Sequence, residues 1–132
     1  MIVTSHGGRV VKLIGDEVMF IASSADRACE ATAELLRDLD GLGLPPGRAG
    51  VAWGTCLTRD GDYYGDRVNL AARLTELAEP GSALITSATY DALSREFPSR
   101  TGASLAAATQ NSVRGLPEPV LAYLLRPNSE GV

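Results

Sequence analysis

The sequence predicts an α+β sandwich, one sheet covered by helices. Three observations predict it. Short runs of β-forming residues alternate with longer stretches of helical period. Those helical stretches carry distinct apolar and polar arcs. Glycine and proline punctuate the junctions between them. With 132 residues, 45% apolar and 21% charged, the chain has the composition of a soluble globular protein and the length for one domain with one core. The boundaries read as one domain over residues 1–126 and a disordered tail over 127–132.

The elements follow in order. Residues 1–8 are short and glycine-bearing, and His6 there takes no role. Arg9 to Ser23 reads as a β-hairpin: Val10, Val11, Leu13 and Ile14 are β-formers, Gly15-Asp16 is a turn dipeptide, and Val18 to Ile21 form the return strand. The return strand is apolar on both faces, as in a covered sheet. Ala25 to Asp40 reads as an amphipathic helix, with Ala28, Cys29, Leu35, Leu36 and Leu39 on one arc and Arg27, Glu30, Glu34, Arg37 and Asp38 on the other. Ser23-x-x-Asp26 resembles a capping box at its start, and Gly41 is expected to end it. Arg48 to Gly54 is a strand with Val51 and Trp53 as expected core residues. Ala83 to Thr86 is a strand, and Ser87 caps a helix running to about Phe97. Pro98 to Asn111 is expected to be a loop. Ser112 to Leu125 is a second hairpin, with Val113-Arg114-Gly115 in its first arm.

The most informative stretch runs from Gly61 to Leu74, GDYYGDRVNLAARL. It begins as a loop and becomes a helix over Asp66 to Ala78. At 100° per residue, Val68, Leu70, Ala71, Ala72, Leu74, Leu77 and Ala78 cover most of that helix. Asn69, Arg73 and Glu76 share a narrow polar wedge, and Asn69 and Arg73, four apart, are neighbours on it. Spacing alone favours a solvated stripe on a core helix over a pair of functional side chains.

Charge and composition exclude several functions. The net charge is −4 and there is no basic block, so nucleic acid is not an expected partner. Apolar runs such as Val18 to Ala22 are far too short to span a bilayer, and the start lacks the charged and long apolar regions of a signal peptide. Two cysteines, Cys29 and Cys56, with one histidine and no C-x-x-C, exclude the usual zinc clusters. They fit inert packing thiols in a reducing cytoplasm, the expected location.

The stretch G-D-Y-Y-G-D-x-V-N-x-A-A-R-L closely resembles one family, the class III nucleotide cyclases, which make cyclic AMP or cyclic GMP. A second motif occurs in that family's order: Lys12-Leu13-Ile14-Gly15-Asp16 resembles its K-x-I-G-D. Without the resemblance, Lys12 reads as a lysine whose stem packs while its head reaches water, and Asp16 as an ordinary turn aspartate. The resemblance implies the ferredoxin-like core of those cyclases, from Gly8 to Leu125. It implies that Asn69 and Arg73 stabilise the transition state and that Asp16 binds the catalytic Mg²⁺ or Mn²⁺, which prefer hard oxygen ligands. Lys12 and Asp62 then read the base, and a Lys/Asp pair implies adenine, hence ATP. Arg114 stands where the family usually has a lysine facing the terminal phosphates, and keeps the charge while adding a bidentate fork. Because the family's site forms between two domains, a chain carrying all these residues implies a homodimer, or a heterodimer with another cyclase domain.

The resemblance is incomplete. The family opens with a strand bearing F-x-D-[ILM]-x-G-[FY], whose aspartate is the first metal ligand, and the sequence shows no such strand. Two readings follow: part of an active cyclase, or a catalytically inactive, cyclase-like regulatory partner. The chain by itself is then expected to make little or no cyclic AMP. It is also expected to show a break in the sheet beside the Arg48–Gly54 strand. A fainter likeness links Ile14-Gly15-Asp16-Glu17-Val18 to the G-G-D-E-F hairpin of diguanylate cyclases, but the first glycine and the phenylalanine are missing.

Overall fold

The computed structural model describes residues 9–14, 17–54, 57–59, 62–64, 66–106, 109–111 and 120–127, with side chains described over 21–54, 69–106 and 120–127. The chain builds β1 (Arg9–Ile14), β2 (Glu17–Ile21), α1 (Ala25–Gly41), β3 (Arg48–Val51), β4 (Leu57–Arg59), β5 (Asp62–Tyr64), α2 (Asp66–Leu77), β6 (Ser82–Thr86), α3 (Ser87–Ala92), α4 (Phe97–Thr101), β7 (Ser104–Leu105), β8 (Thr109–Asn111) and β9 (Val120–Arg126). The predicted α+β class is what forms.

The main sheet is ordered β3-β6-β9-β7, with β8 also paired to β9. β3 and β6 are parallel, and the connection between them carries α2, as a parallel pair requires. β9 runs antiparallel to β6. All five residues of β6 are buried, because helices cover both faces of the sheet. Ala83 and Ile85 pack with Cys29, Ala33 and Leu36 of α1, together with Phe97 and Leu125. Leu84 packs with Leu74 of α2, with Ala78 just past the helix end, and with Ala122. Alternate residues of a strand point to opposite faces, so α1 and α2 lie on opposite sides of β6.

The hairpin β1–β2 and the pair β4–β5 form separate two-stranded sheets. Among the described residues β3 therefore pairs only with β6.

Several local expectations are corrected by tertiary contacts. The cap of α1 is Ser24, whose side chain accepts from the Arg27 N–H at 3.1 Å. Asp26 does not close a capping box, because its carboxylate is taken by Ser94 and Arg100. Gly41 stays inside the helix, and the chain turns at Gly43, with φ of +69°, a left-handed conformation that suits glycine. The helix expected over Ser87 to Phe97 is broken: α3 stops at Ala92, and Leu93 is extended. The Ser94 N–H donates to the Asp26 carboxylate at 2.7 Å rather than continuing a helix. Pro98 to Asn111, expected as a loop, supplies part of α4 and the strands β7 and β8. Phe97 at the head of α4 is fully buried. In the second hairpin β8 pairs with β9, while the expected first arm around Arg114 lies outside the described residues.

Trp53, expected in the core, is 37% exposed. Its backbone is held instead. The buried Thr89 hydroxyl accepts from the Trp53 N–H at 2.9 Å and donates to the Val51 carbonyl at 3.2 Å. Since a hydroxyl has one proton, Thr86 must donate the 2.7 Å bond between the two threonine oxygens. The pair fixes the exit of β3 toward β4.

Candidate active site

The site candidates lie on three elements that meet at β5. β1 carries Lys12, β5 begins at Asp62, and α2 follows almost at once with Asn69 and Arg73. β5 has Cα atoms within 8 Å of both β1 and α2. The two strands carrying the base-reading candidates are thus neighbours, beside the helix that carries Asn69 and Arg73. The register of β1 on β2 shifts between Val10 and Lys12. Such irregularities re-aim a strand beside functional sites.

The sheet-facing side of α2 is formed by Leu74, fully buried, with Leu70 and, just past the helix end, Ala78 packed in the same cluster. Asn69 is exposed, and the Arg73 side chain is 38% exposed. The polar side is broader than the predicted wedge, since Ala72 and Leu77 are exposed as well. Arg73 Nη1 lies 3.6 Å from Glu76 Oε1, a pair between two solvated side chains. Pairs of that kind contribute little, so the guanidinium is available to an anion at small cost.

The helix rests on bare backbone. A Cβ placed on Gly50 of β3 would lie 2.2 Å from the Ala71 carbonyl oxygen, 2.7 Å from the Thr75 nitrogen and 2.9 Å from the Leu74 Cβ. Sequence reasoning passed over Gly50, although a glycine inside a strand is itself a signal of close backbone approach.

Two of the predicted site residues, Asp16 and Arg114, lie outside the described residues. A single carboxylate such as Asp16 has the right hard-oxygen chemistry for Mg²⁺ or Mn²⁺. Among the described residues, however, no group of three or more His, Cys, Asp or Glu side chains could hold a metal ion.

A second polar cluster lies between α1 and the α3–α4 connection. Asp26 accepts from the Ser94 N–H at 2.7 Å, the Ser94 hydroxyl at 2.5 Å and Arg100 Nη2 at 3.0 Å, and Arg100 also pairs with Glu30. Partial burial works to raise the Asp26 pKa, but the two Ser94 bonds and the Arg100 charge outweigh it and hold the carboxyl below its ordinary 3.8. A carboxyl lowered on folding stabilises the fold above its unfolded pKa, and that contribution is lost as pH falls through the lower folded value. Asp26→Asn should therefore lower the melting midpoint at neutral pH, with the gap to wild type starting to close below about pH 4, where the unfolded chain takes up the proton, and closing further as pH falls through the lower native value. Thermal scans between pH 7 and 3 check this, and a gap that stays constant contradicts it. Burial, with the Asp26 and Glu30 charges, pushes the neighbouring Cys29 thiol up to about 12. It is an inert packing group, as expected. Cys56 lies outside the described residues.

With this geometry in hand, known proteins sharpen the reading. Residues 48–127 match the family described as the adenylate and guanylate cyclase catalytic domain, a span that includes Asp62, Asn69 and Arg73. The chain belongs to that family. It is 46% identical over 94 residues to an adenylate cyclase of Glutamicibacter nicotianae, covering 70% of this chain and 23% of that protein. It is 36% identical over 129 residues to an adenylate cyclase of Streptomyces coelicolor, covering 96% and 34%. The chain thus spans about a quarter to a third of the length of these curated relatives. Among solved structures, the adenylyl cyclase CyaB from P. aeruginosa superposes with a TM-score of 0.72 at 25% identity, over 94% of this chain and 74% of that one. An adenylate/guanylate cyclase/hydrolase from Silicibacter pomeroyi superposes with a TM-score of 0.78 over 96% and 77%, and at 22% identity that likeness speaks for the fold alone. The fold is therefore the α+β fold of class III cyclase catalytic domains. Among the described residues no helix is long and apolar enough to cross a membrane.

Proposed function

We propose that this domain converts ATP to cyclic AMP and pyrophosphate for intracellular signalling. The ribose 3′-oxygen forms a bond to the α-phosphorus as the bond from that phosphorus to the pyrophosphate oxygen breaks. The 3′ hydroxyl proton leaves to solvent, and pyrophosphate carries off the electron pair. The observation that carries this reading is α2 itself, with Asn69 and Arg73 one turn apart on its solvent side while Leu74 and Ala78 bury the other. Arg73 donates to the charge that develops on the transferring phosphoryl group, and Asn69 orients the ribose. Arg114 meets the terminal phosphates. Asp16 is the residue proposed to hold Mg²⁺ or Mn²⁺, which when bound supplies charge stabilisation at the phosphates.

Lys12 donates to the adenine ring nitrogen, and Asp62 accepts from the exocyclic amine. Guanine reverses both groups and leaves each side chain facing its own kind, at roughly 1–3 kcal/mol per unpaired buried group. The expected result is a kcat/KM for ATP at least about tenfold that for GTP, measured on the full gene product. Equal values, or a preference for GTP, refute the base assignment. The domain works as a homodimer or with another cyclase domain, in the cytoplasm.

A further inference from the structure

Among the described glycines Gly50 leaves the least room for a Cβ, and it lies directly beneath the helix of the proposed catalytic pair. The three atoms its missing Cβ would strike belong to Ala71, Leu74 and Thr75, which flank Arg73 in sequence and form the sheet side of α2. Two of the three are backbone atoms, which cannot rotate away. The Ala71 carbonyl is also fixed from above, because it accepts from the Thr75 hydroxyl at 2.8 Å. On the opposite face, Gly47 offers a contrast. A Cβ there would meet only the ends of two leucine side chains, Leu39 Cδ1 at 2.8 Å and Leu36 Cδ2 at 3.1 Å. Those ends can move.

From this geometry we infer that Gly50 is a positioning residue for catalysis: its bare backbone sets the height of α2, and so the reach of Asn69 and Arg73 toward the nucleotide. Ordinary contact begins at 3.4 Å, against 2.2 Å for a Cβ on Gly50 and the Ala71 oxygen. A methyl group at position 50 therefore lifts the helix by roughly 1 Å, a displacement that can cost about 10²-fold in rate when it misplaces catalytic groups. The inference rests on the proposed cyclase reading, and its test separates the two.

The test compares Gly50→Ala, Gly47→Ala, Arg73→Ala and the Gly50→Ala/Arg73→Ala double variant in the full gene product. It measures kcat and KM for ATP, and amide hydrogen exchange over residues 69–77 and 82–86. Gly50→Ala should lose about 10²-fold in kcat with KM within about threefold. Exchange should rise over 69–77 and stay unchanged over 82–86. Gly47→Ala should keep kcat within about threefold. The double variant should lose clearly less than the product of the two single losses, because the lifted helix has already lost much of what Arg73 does. Full kcat in Gly50→Ala, or losses that multiply in the double variant, overturn the inference. If Gly50→Ala does not fold, Thr75→Val carries the test. It removes the hydroxyl that fixes the Ala71 carbonyl without adding bulk, and should lower kcat about threefold or more with KM unchanged; unchanged kcat overturns the inference. A wild-type gene product without cyclase activity refutes the proposed function instead. The exchange comparison then decides the Gly50 geometry alone, with equal exchange over 69–77 in Gly50→Ala and Gly47→Ala overturning it.

Discussion

Replacing Arg73 with alanine is expected to lower kcat by roughly 10²–10³-fold while leaving the fold intact. The two halves of that statement have separate physical grounds. The rate loss follows from removing one donor aimed at charge that exists only in the transition state, so KM should move much less than kcat. The intact fold follows from the side chain's surroundings. Arg73 is 38% exposed, and the ion pair it makes with Glu76 joins two solvated groups. Exposed pairs contribute about 0–1 kcal/mol. Steady-state kinetics beside a thermal scan of the same sample check both halves. A variant that unfolds would make Arg73 structural. A variant with full kcat would return it to a solvated stripe on a core helix.

The largest expected effect on stability is at Phe97. Its side chain is fully buried in the cluster formed by Cys29, Ala33 and Leu36 of α1, Ala83 and Ile85 of β6, and Leu125 of β9. Phe97→Ala removes a ring from the meeting point of a helix and two strands, where neighbouring backbone limits collapse of the void. Such truncations cost about 3–5 kcal/mol, a large part of the 5–15 kcal/mol that holds a typical domain. Urea titration should show the midpoint falling sharply with the slope unchanged. A loss under about 1 kcal/mol would mean that α4 is a detachable surface turn rather than part of the core.

Phe97 also shows where sequence reasoning stops. It sits in a stretch of serine, proline, threonine and glycine with no period, and nothing local marks it as a core residue. The helix predicted over Ser87 to Phe97 breaks because Asp26, 68 residues away in sequence, takes the Ser94 N–H. Ser23 and Ser24 are adjacent and chemically alike, so local signals could not choose the cap. Trp53 reads as a core side chain by type, yet it is the Trp53 backbone that Thr89 holds. By contrast α2 was legible because two independent signals coincide there, glycines that open the turn and an apolar period that leaves Asn69 and Arg73 on one side. The candidate site residues could be read from the sequence through the family resemblance, since type and spacing alone favoured bland roles. The adjacency of the elements that carry Lys12, Asp62, Asn69 and Arg73 could not, because it depends on β5 lying against both β1 and α2, a matter of topology. Gly50 had a local signal, a glycine inside a strand, whose meaning required the helix above it.

The central claim, that this domain cyclises ATP, is tested most directly by incubating the full gene product with ATP and Mg²⁺ or Mn²⁺ and quantifying both products. The account predicts cyclic AMP and pyrophosphate in equal amounts, with both falling together by about 10²–10³-fold in Arg73→Ala. Pyrophosphate or phosphate released without cyclic AMP, or cyclic AMP formed at an undiminished rate by Arg73→Ala, would contradict it.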